Sequence, residues 1–442
     1  MTLPRGRTTA AGAWWVLVPV VVIVVLVTGA LTFPVATGAA LVGAVLLTAS
    51  VRWPRVTGLG FMVAGPLYLS GFTVRPMTLD NVAVLYGAAV SVGWLLTTRR
   101  RGAPLAAWPT VVALAVAVAA VANGGAGAPG MARFLSLAVL ALILANSAPA
   151  VRRRTAGWVE AAVTLGAVVL IAQPFTGFPA AFGTAEGVGE RFGGLFGHPN
   201  FAAYTVSVVL LYQLYAKPFT HARIASSAAL LLALVLTGSR AALIVFVLLL
   251  LPALWMRAQR FFGLLAPAVA ALPFVGTTIL TRLESIAATG GLSGQNASGW
   301  RLGQWRDALE ATRGHEYFGI GWGRTADVMG DQLGAHSTYV QIWLELGRVG
   351  AVFCVVGLIL LLRSARSVRP AQVLLGYVVI TSVSDPVLLY PSCLTVLLVV
   401  LSPLVDRDDE APPGPAGGGE PEPSAGAADN PTRSRPFAAV HP

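Results

Sequence analysis

The sequence predicts an all-α integral membrane protein, a bundle of about 12–14 transmembrane helices with a large extracytoplasmic loop containing short helices. Three observations predict it. Of 442 residues, 56% are hydrophobic and 11% charged, with a mean hydropathy of +0.73, whereas soluble domains carry about 25% charged residues. Apolar runs near spanning length recur along most of the chain. Basic residues occupy every second connection between those runs, as the positive-inside bias requires.

A span needs roughly 17–25 apolar residues. The first run, Trp14–Leu31, meets that length and is followed by no convincing small-residue cleavage site. It reads as the first span and not as a cleaved signal. Val35–Val51, Thr57–Phe72, Asn81–Thr97, Ala106–Ala122, Met131–Ser147 and Gly157–Gln173 follow. Together they make an N-terminal helical region, 14–173, behind a cytoplasmic segment, 1–13.

Residues 174–405 then hold Phe201–Ala216, Arg223–Leu236, Ala241–Met256, Phe262–Leu280, Ala351–Leu362, Ala371–Leu389 and Ser392–Leu404. A polar, aromatic insertion, 281–337, interrupts them. Loops of that length are usually functional or disordered. Within it Trp300, Arg301, Trp305, Ala308, Leu309 and Thr312 recur at helical spacing, which predicts an amphipathic helix on the membrane surface. Segment 406–442 is rich in Pro, Gly, Ala and acidic residues. With little to bury, it is expected to be a disordered cytoplasmic tail.

Arg5 and Arg7, Arg52 and Arg55, Arg99–Arg101, Arg152–Arg154, Lys217 with Arg223, Arg257 with Arg260, and Arg363 with Arg366 and Arg369 lie in alternate connections. That bias puts both termini in the cytoplasm. It puts 174–199, the turn at 237–240, and 281–350 on the outer side. The bias also accounts for the net charge of +11, so no nucleic-acid partner is expected. Lys217 is the only lysine; so strong a preference for Arg suggests a GC-rich bacterial genome. Cys354 and Cys393 sit in apolar runs and read as buried thiols.

Three outward stretches gather the residues fit for chemistry. Arg240 follows Thr237-Gly238-Ser239 where one helix ends and the next begins. A helix N-terminus there offers free N–H groups, and a guanidinium adds a planar fork matched to phosphate oxygens. A snorkelling arginine at the headgroups is the structural alternative, disfavoured by the outward side. Arg191 precedes Gly193, Gly194, Gly197 and His198-Pro199-Asn200, a tight irregular backbone running into a helix. Arg191 is expected to bind an anion, Asn200 to cap the helix, and His198 to bond a backbone carbonyl in preference to acting in catalysis; His198 and Asn200 are candidate supporting residues of the site.

In the insertion, Arg301 and Trp305 lie one turn apart, followed by Gly319-Ile320-Gly321-Trp322-Gly323 and Ala335-His336-Ser337-Thr338-Tyr339. Glycines permit close backbone approach. His336 stands where the polar loop returns to the membrane, which suits an outward-facing general base; a solvated loop histidine is the alternative. Trp305 and Tyr339 are candidate supporting residues. Asp385, in Ser384-Asp385-Pro386, is expected about a turn inside the outer end of its helix. It would support the site, pair with an arginine or tie the bundle. Glu310 and Glu316 read as solvated. His198, His336 and a carboxylate include no close ligand pair, so no metal is expected, and no cofactor.

Together these motifs resemble the O-antigen ligase and polymerase superfamily of bacterial polytopic membrane proteins. The matching features are R-x6-H-P-N before a span, the T-G-S-R turn, R-x3-W, G-I-G-x-G, A-H-S-x-Y, and E-L-G-x-x-G nine residues on from His336, across roughly residues 190–362. The resemblance implies transfer of a glycan from an undecaprenyl-pyrophosphate carrier to an acceptor glycan or lipid, on the outer side of the cytoplasmic membrane and without a metal. It implies that Arg240, Arg301 and Arg191 bind pyrophosphate and that His336 is catalytic. Two departures stand out. Ser337 replaces an Asn frequent in relatives, and His315-Glu316-Tyr317 stands where a proline-containing turn is common.

Ligase and polymerase differ only in the acceptor, and these residues do not separate them. The alternative class is a flippase for lipid-linked oligosaccharides, which would carry polar residues deep in its spans and show internal repeats. Here charge is concentrated outside the spans and no convincing repeat is found. The shape and division glycan polymerases would favour a carboxylate in the large loop, where Asp327 and Asp331 are the candidates.

Overall fold

The computed structural model describes residues 46, 48–49, 52–68, 73–74, 77–97, 104–123, 128–178, 191–218, 220–256, 298–329 and 335–405. The expected spans Trp14–Leu31 and Phe262–Leu280, most of Val35–Val51, residues 281–297 and 330–334 of the insertion, and the tail 406–442 lie outside the described residues.

Apolar runs between breakers become helices. In order these are α1 (Pro54–Tyr68), α2 (Leu79–Thr97), α3 (Ala107–Ala122), α4 (Ala128–Ala145), α5 (Pro149–Thr176), α6 (Pro199–Ala216), α7 (His221–Thr237) and α8 (Arg240–Met256). Then come α9 (Ser298–Ala311), the short α10 (Thr325–Met329), α11 (Thr338–Ser364), α12 (Arg369–Thr381) and α13 (Pro391–Val405). The only sheet among the described residues is a minimal antiparallel hairpin, Thr73–Val74 with Met77–Thr78, which joins α1 to α2.

Helix ends follow local chemistry. α5 starts with Pro149 in its first turn, where a missing N–H costs nothing. It ends at Gly177 in the left-handed region, φ 64°, the usual helix stop. Thr220 caps α7 by accepting from the Arg223 amide, and Gly238 at φ 61° ends it. α5 begins eight residues before the expected span Gly157–Gln173, so Arg152–Arg154 ride on its first turns and are not in a connecting loop.

α6 and α13 form the centre. Nearly every residue of both is buried, and helices that are apolar all round belong in a core. α6 packs against α5, α7, α8, α12 and α13. At the periphery the pattern inverts. Ile244, Val247, Leu248 and Leu251 on α8 are exposed, as are Val352, Val355, Val356 and Ile359 on α11. Both sets follow i, i+3, i+4, i+7, one helix face each. Such apolar faces are costly against water and suit hydrocarbon. α5 (28 residues) and α11 (27 residues) are long and apolar enough to cross a membrane. Cys354 and Cys393 are free, buried thiols.

Two expected runs differ in shape. Ala351–Leu362 lies inside α11, which already starts at Thr338 and kinks at Gly347 (φ 62°, ψ −163°). Ala371–Leu389 is broken after Thr381; residues 382–386 turn, and a 3-10 helix, Val387–Leu389, follows. Pro386 accounts for the break, since a proline disfavours helical backbone in the residue before it. Asp385 therefore stands beyond the end of α12, not a turn inside it.

The described part of the insertion has its own small core. Ala308 of α9, Ile320, Ala335 and Leu344 of α11 pack together. The glycine-rich run then clasps the kink of α11. Ile320 and Gly321 amides donate to the Leu344 and Glu345 carbonyls at 2.9 and 3.1 Å, and Arg348 and Val349 amides donate to Glu316 and Tyr317 at 2.8 and 3.0 Å.

Candidate active site

The loop ahead of α6 is shaped by its glycines. Gly194 (φ 53°) lies against α5 so closely that a Cβ there would be 2.8 Å from the Leu170 Cβ. Its amide donates to Gln173 Oε1 at 2.9 Å. This docking delivers Arg191 to the C-terminal end of α7. The guanidinium donates through Nε to the Thr237 carbonyl at 3.2 Å and through a terminal nitrogen to Asn200 Oδ1. A cation at a helix C-terminus is electrostatically favoured. One side chain thus joins two of the three stretches, R-x6-H-P-N and T-G-S-R.

His198, not Asn200, caps α6. Its Nδ1 accepts from the Asn200 amide at 3.1 Å. An imidazole that accepts must be neutral at that nitrogen. Burial, with the Arg191 charge second, pushes the His198 pKa down from 6.5 to about 4. Asn200 is thereby freed to point inward, where it is buried.

Asp385 is the meeting point. It is 1% exposed and accepts from Asn200 Nδ2 at 3.3 and 3.4 Å and from the Tyr204 hydroxyl. His336 Nδ1 lies 3.5 Å from its Oδ1. Asn200 joins the Arg191 guanidinium to Asp385. His336 is 8% exposed, a buried residue and not a solvated loop histidine. Its backbone sits in the left-handed region, φ 48°, uncommon for a residue other than glycine and often found at functional positions.

The flanking backbone is laced in place. The Thr338 amide donates to the Ser382 carbonyl at 2.8 Å and the Thr338 hydroxyl to the Asp385 carbonyl at 3.2 Å. Ser337 caps α11 by accepting from the Val340 amide at 3.4 Å. Serine and asparagine are both strong N-caps, so Ser337 preserves a role an Asn would also fill.

The other expected site residues fall around this cluster. Arg240 is exposed on the first turn of α8, three residues from the Thr237 carbonyl that Arg191 holds. Arg301 lies on α9, the helix that packs beside Ala335, and Trp305 is half-buried one turn further on. Tyr339 is not part of the cluster; its hydroxyl donates to the Val379 carbonyl at 2.9 Å. Asp327 is exposed and pairs with Arg324 at 3.3 Å; Asp331 lies outside the described residues. Glu310 is exposed, and Glu316 accepts from the Gly314 amide. Among the described residues no group of three or more His, Cys, Asp or Glu gathers as a metal site.

Two residues were not anticipated. Tyr204 reads as one more aromatic in an apolar span; the available signal is that it follows Asn200 by four residues and shares its face. Glu345 belongs to a recognised motif, but its role is hidden in the sequence. At 1% exposure it accepts from the Thr325 hydroxyl at 2.5 Å and from Gln341 Nε2 at 3.3 Å. It thereby fastens the glycine-rich run to α11.

The apolar helices and lipid-suited faces suggest an integral membrane protein, and Asn200, Tyr204 and Asp385 bring one buried carboxylate–imidazole pair beside an arginine. Residues 225–355 match the family described as O-antigen ligase. That match supports a resemblance to the O-antigen ligase and polymerase superfamily over this part of the chain. The match takes in Arg240, Arg301, His336 and Glu345, whereas Arg191, His198, Asn200, Tyr204 and Asp385 lie outside it. No curated protein matches the chain.

Proposed function

We propose that this protein is a glycosyltransferase that moves a glycan from an undecaprenyl-pyrophosphate carrier to an acceptor hydroxyl on the outer face of the cytoplasmic membrane. Ligation to a lipid or glycan and polymerisation of surface-polysaccharide repeats use the same chemistry. The observation that carries the reading is the buried His336–Asp385 pair, linked through Asn200 to the Arg191 guanidinium, in a chain whose residues 225–355 match the O-antigen ligase family.

In the proposed reaction Asp385 holds His336 through Nδ1, and Nε2 accepts the proton of the acceptor hydroxyl. The acceptor oxygen bonds to the anomeric carbon as the bond from that carbon to the phosphate oxygen breaks. Undecaprenyl pyrophosphate leaves with the electron pair. Its growing charge is met by Arg191, Arg240 and Arg301, which act most strongly where charge develops in the transition state. A positioned base contributes about 10²–10⁴-fold.

The test is the size profile of lipid-linked and transferred glycans in cells lacking the protein, rescued by wild type or by His336→Ala. Single lipid-linked repeats accumulating in the null and the variant indicate a polymerase. Long lipid-linked chains without transfer indicate a ligase. A normal profile in the null removes the transferase reading, and full rescue by His336→Ala removes His336 as the base.

A further inference from the structure

Asn200 and Tyr204 stand one turn apart on the same face of α6, in its first two turns, and both end on the Asp385 carboxylate. Tyr204 is fully buried, and so is all but 1% of Asp385. An ionised carboxylate only accepts hydrogen bonds, and here donors from a rigid helix meet it while the carboxylate itself sits on the turn after α12. That arrangement fixes a side chain whose own backbone belongs to no regular element. The orientation of the Asn200 amide is set from its other end. Its oxygen accepts from Arg191, which leaves its NH₂ turned to Asp385.

Neither donor is needed to make α6 a helix. His198 already caps it, and a phenylalanine would fill the space of Tyr204. A tyrosine placed in a span with its hydroxyl on a buried aspartate is explained by the carboxylate it holds. The chain of contacts runs Arg191, Asn200, Asp385, His336, with Tyr204 bracing the third member.

We propose that Tyr204 and Asn200 are positioning residues for the transfer reaction: they clamp Asp385, and through it set the placement of His336. The inference rests on the reading of His336 as the base. The Tyr204 hydroxyl is fully buried against Asp385, so on this reading its loss slows the transfer step without weakening the grip on the carrier.

The experiment uses the full chain in native membrane vesicles containing the endogenous lipid-linked glycan, with undecaprenyl pyrophosphate as the binding probe. Wild type, Tyr204→Phe, Asn200→Ala and His336→Ala are compared by Kd, by number of binding sites, and by transfer rate per binding site at saturation. Tyr204→Phe is expected to keep the wild-type Kd and to lose about tenfold in rate per site, part of what a well-placed base supplies. A purely structural tyrosine would reduce the number of sites and leave the rate per site unchanged, and that result overturns the proposal. If Tyr204→Phe yields no binding sites, Asn200→Ala decides at saturation: a lowered rate per site supports the clamp, and a wild-type rate overturns it. Failure of the underlying reading is distinct, because His336→Ala would then transfer at the wild-type rate per site.

Discussion

Gly319 and Gly347 meet backbone to backbone. A Cβ on Gly319 would lie 2.3 Å from the Glu345 carbonyl carbon, and one on Gly347 would lie 2.5 Å from the Gly319 nitrogen. Both residues also have positive φ, 69° and 62°. The G-I-G-x-G and E-L-G-x-x-G motifs are therefore two halves of one contact, which holds the run leading towards His336 against the kink of α11.

Alanine at either glycine should be poorly tolerated. Left-handed backbone costs a side-chain-bearing residue about 1–3 kcal/mol, and the steric overlap adds to it. Gly319→Ala and Gly347→Ala are expected to lower the melting temperature of the purified protein and abolish transfer. Wild-type melting for both would show that the contact does not stabilise the fold.

Glu345 gives a graded prediction at the same place. Glu345→Ala strands the Thr325 hydroxyl and Gln341, and should cost about 1–3 kcal/mol for the unsatisfied groups. Glu345→Gln keeps an acceptor oxygen and should cost less. Thermal unfolding of the two variants in detergent checks the order; equal melting temperatures would remove the anchor role.

His198 predicts a pH effect on stability. Its pKa is lowered in the folded protein from 6.5 to about 4, so the unfolded chain binds more protons between those values. Its contribution is fully present above pH 6.5 and is lost as pH falls through about 4. His198→Asn retains a capping oxygen and does not titrate there. The wild type should therefore lose stability relative to His198→Asn as pH falls from 6.5 towards 4, in melting curves taken across that window.

Arg191→Lys tests whether Arg191 is more than a charge. Lysine keeps the cation but has no planar fork to span the Thr237 carbonyl and Asn200 together. Transfer is expected to fall by about 10²–10³-fold, the scale of losing one preorganised donor. Activity close to wild type in the vesicle assay would assign Arg191 a purely electrostatic role.

Sequence alone determined that the described apolar runs are helical and marked candidate residues for chemistry, while the bounds shifted at α5, α11 and α12. Apolar length, Pro149, Gly177 and Gly238 are local signals, and helix formation answers to them locally. The helical spacing from Trp300 became α9 for the same reason. Tertiary structure decided which of those residues meet. Asp385 lies 181 residues from Tyr204 along the chain, and nothing in the periodicity of one helix states which helix it faces. The exchange of capping roles between His198 and Asn200 has the same origin: an Asn at a helix start is free to cap until a buried carboxylate claims its amide. His336 was visible as a histidine at a loop's return to the membrane. Its burial and its carboxylate partner come from the packing of α6, α11 and the turn after α12 around one desolvated point, where each polar group must find another because water cannot reach it.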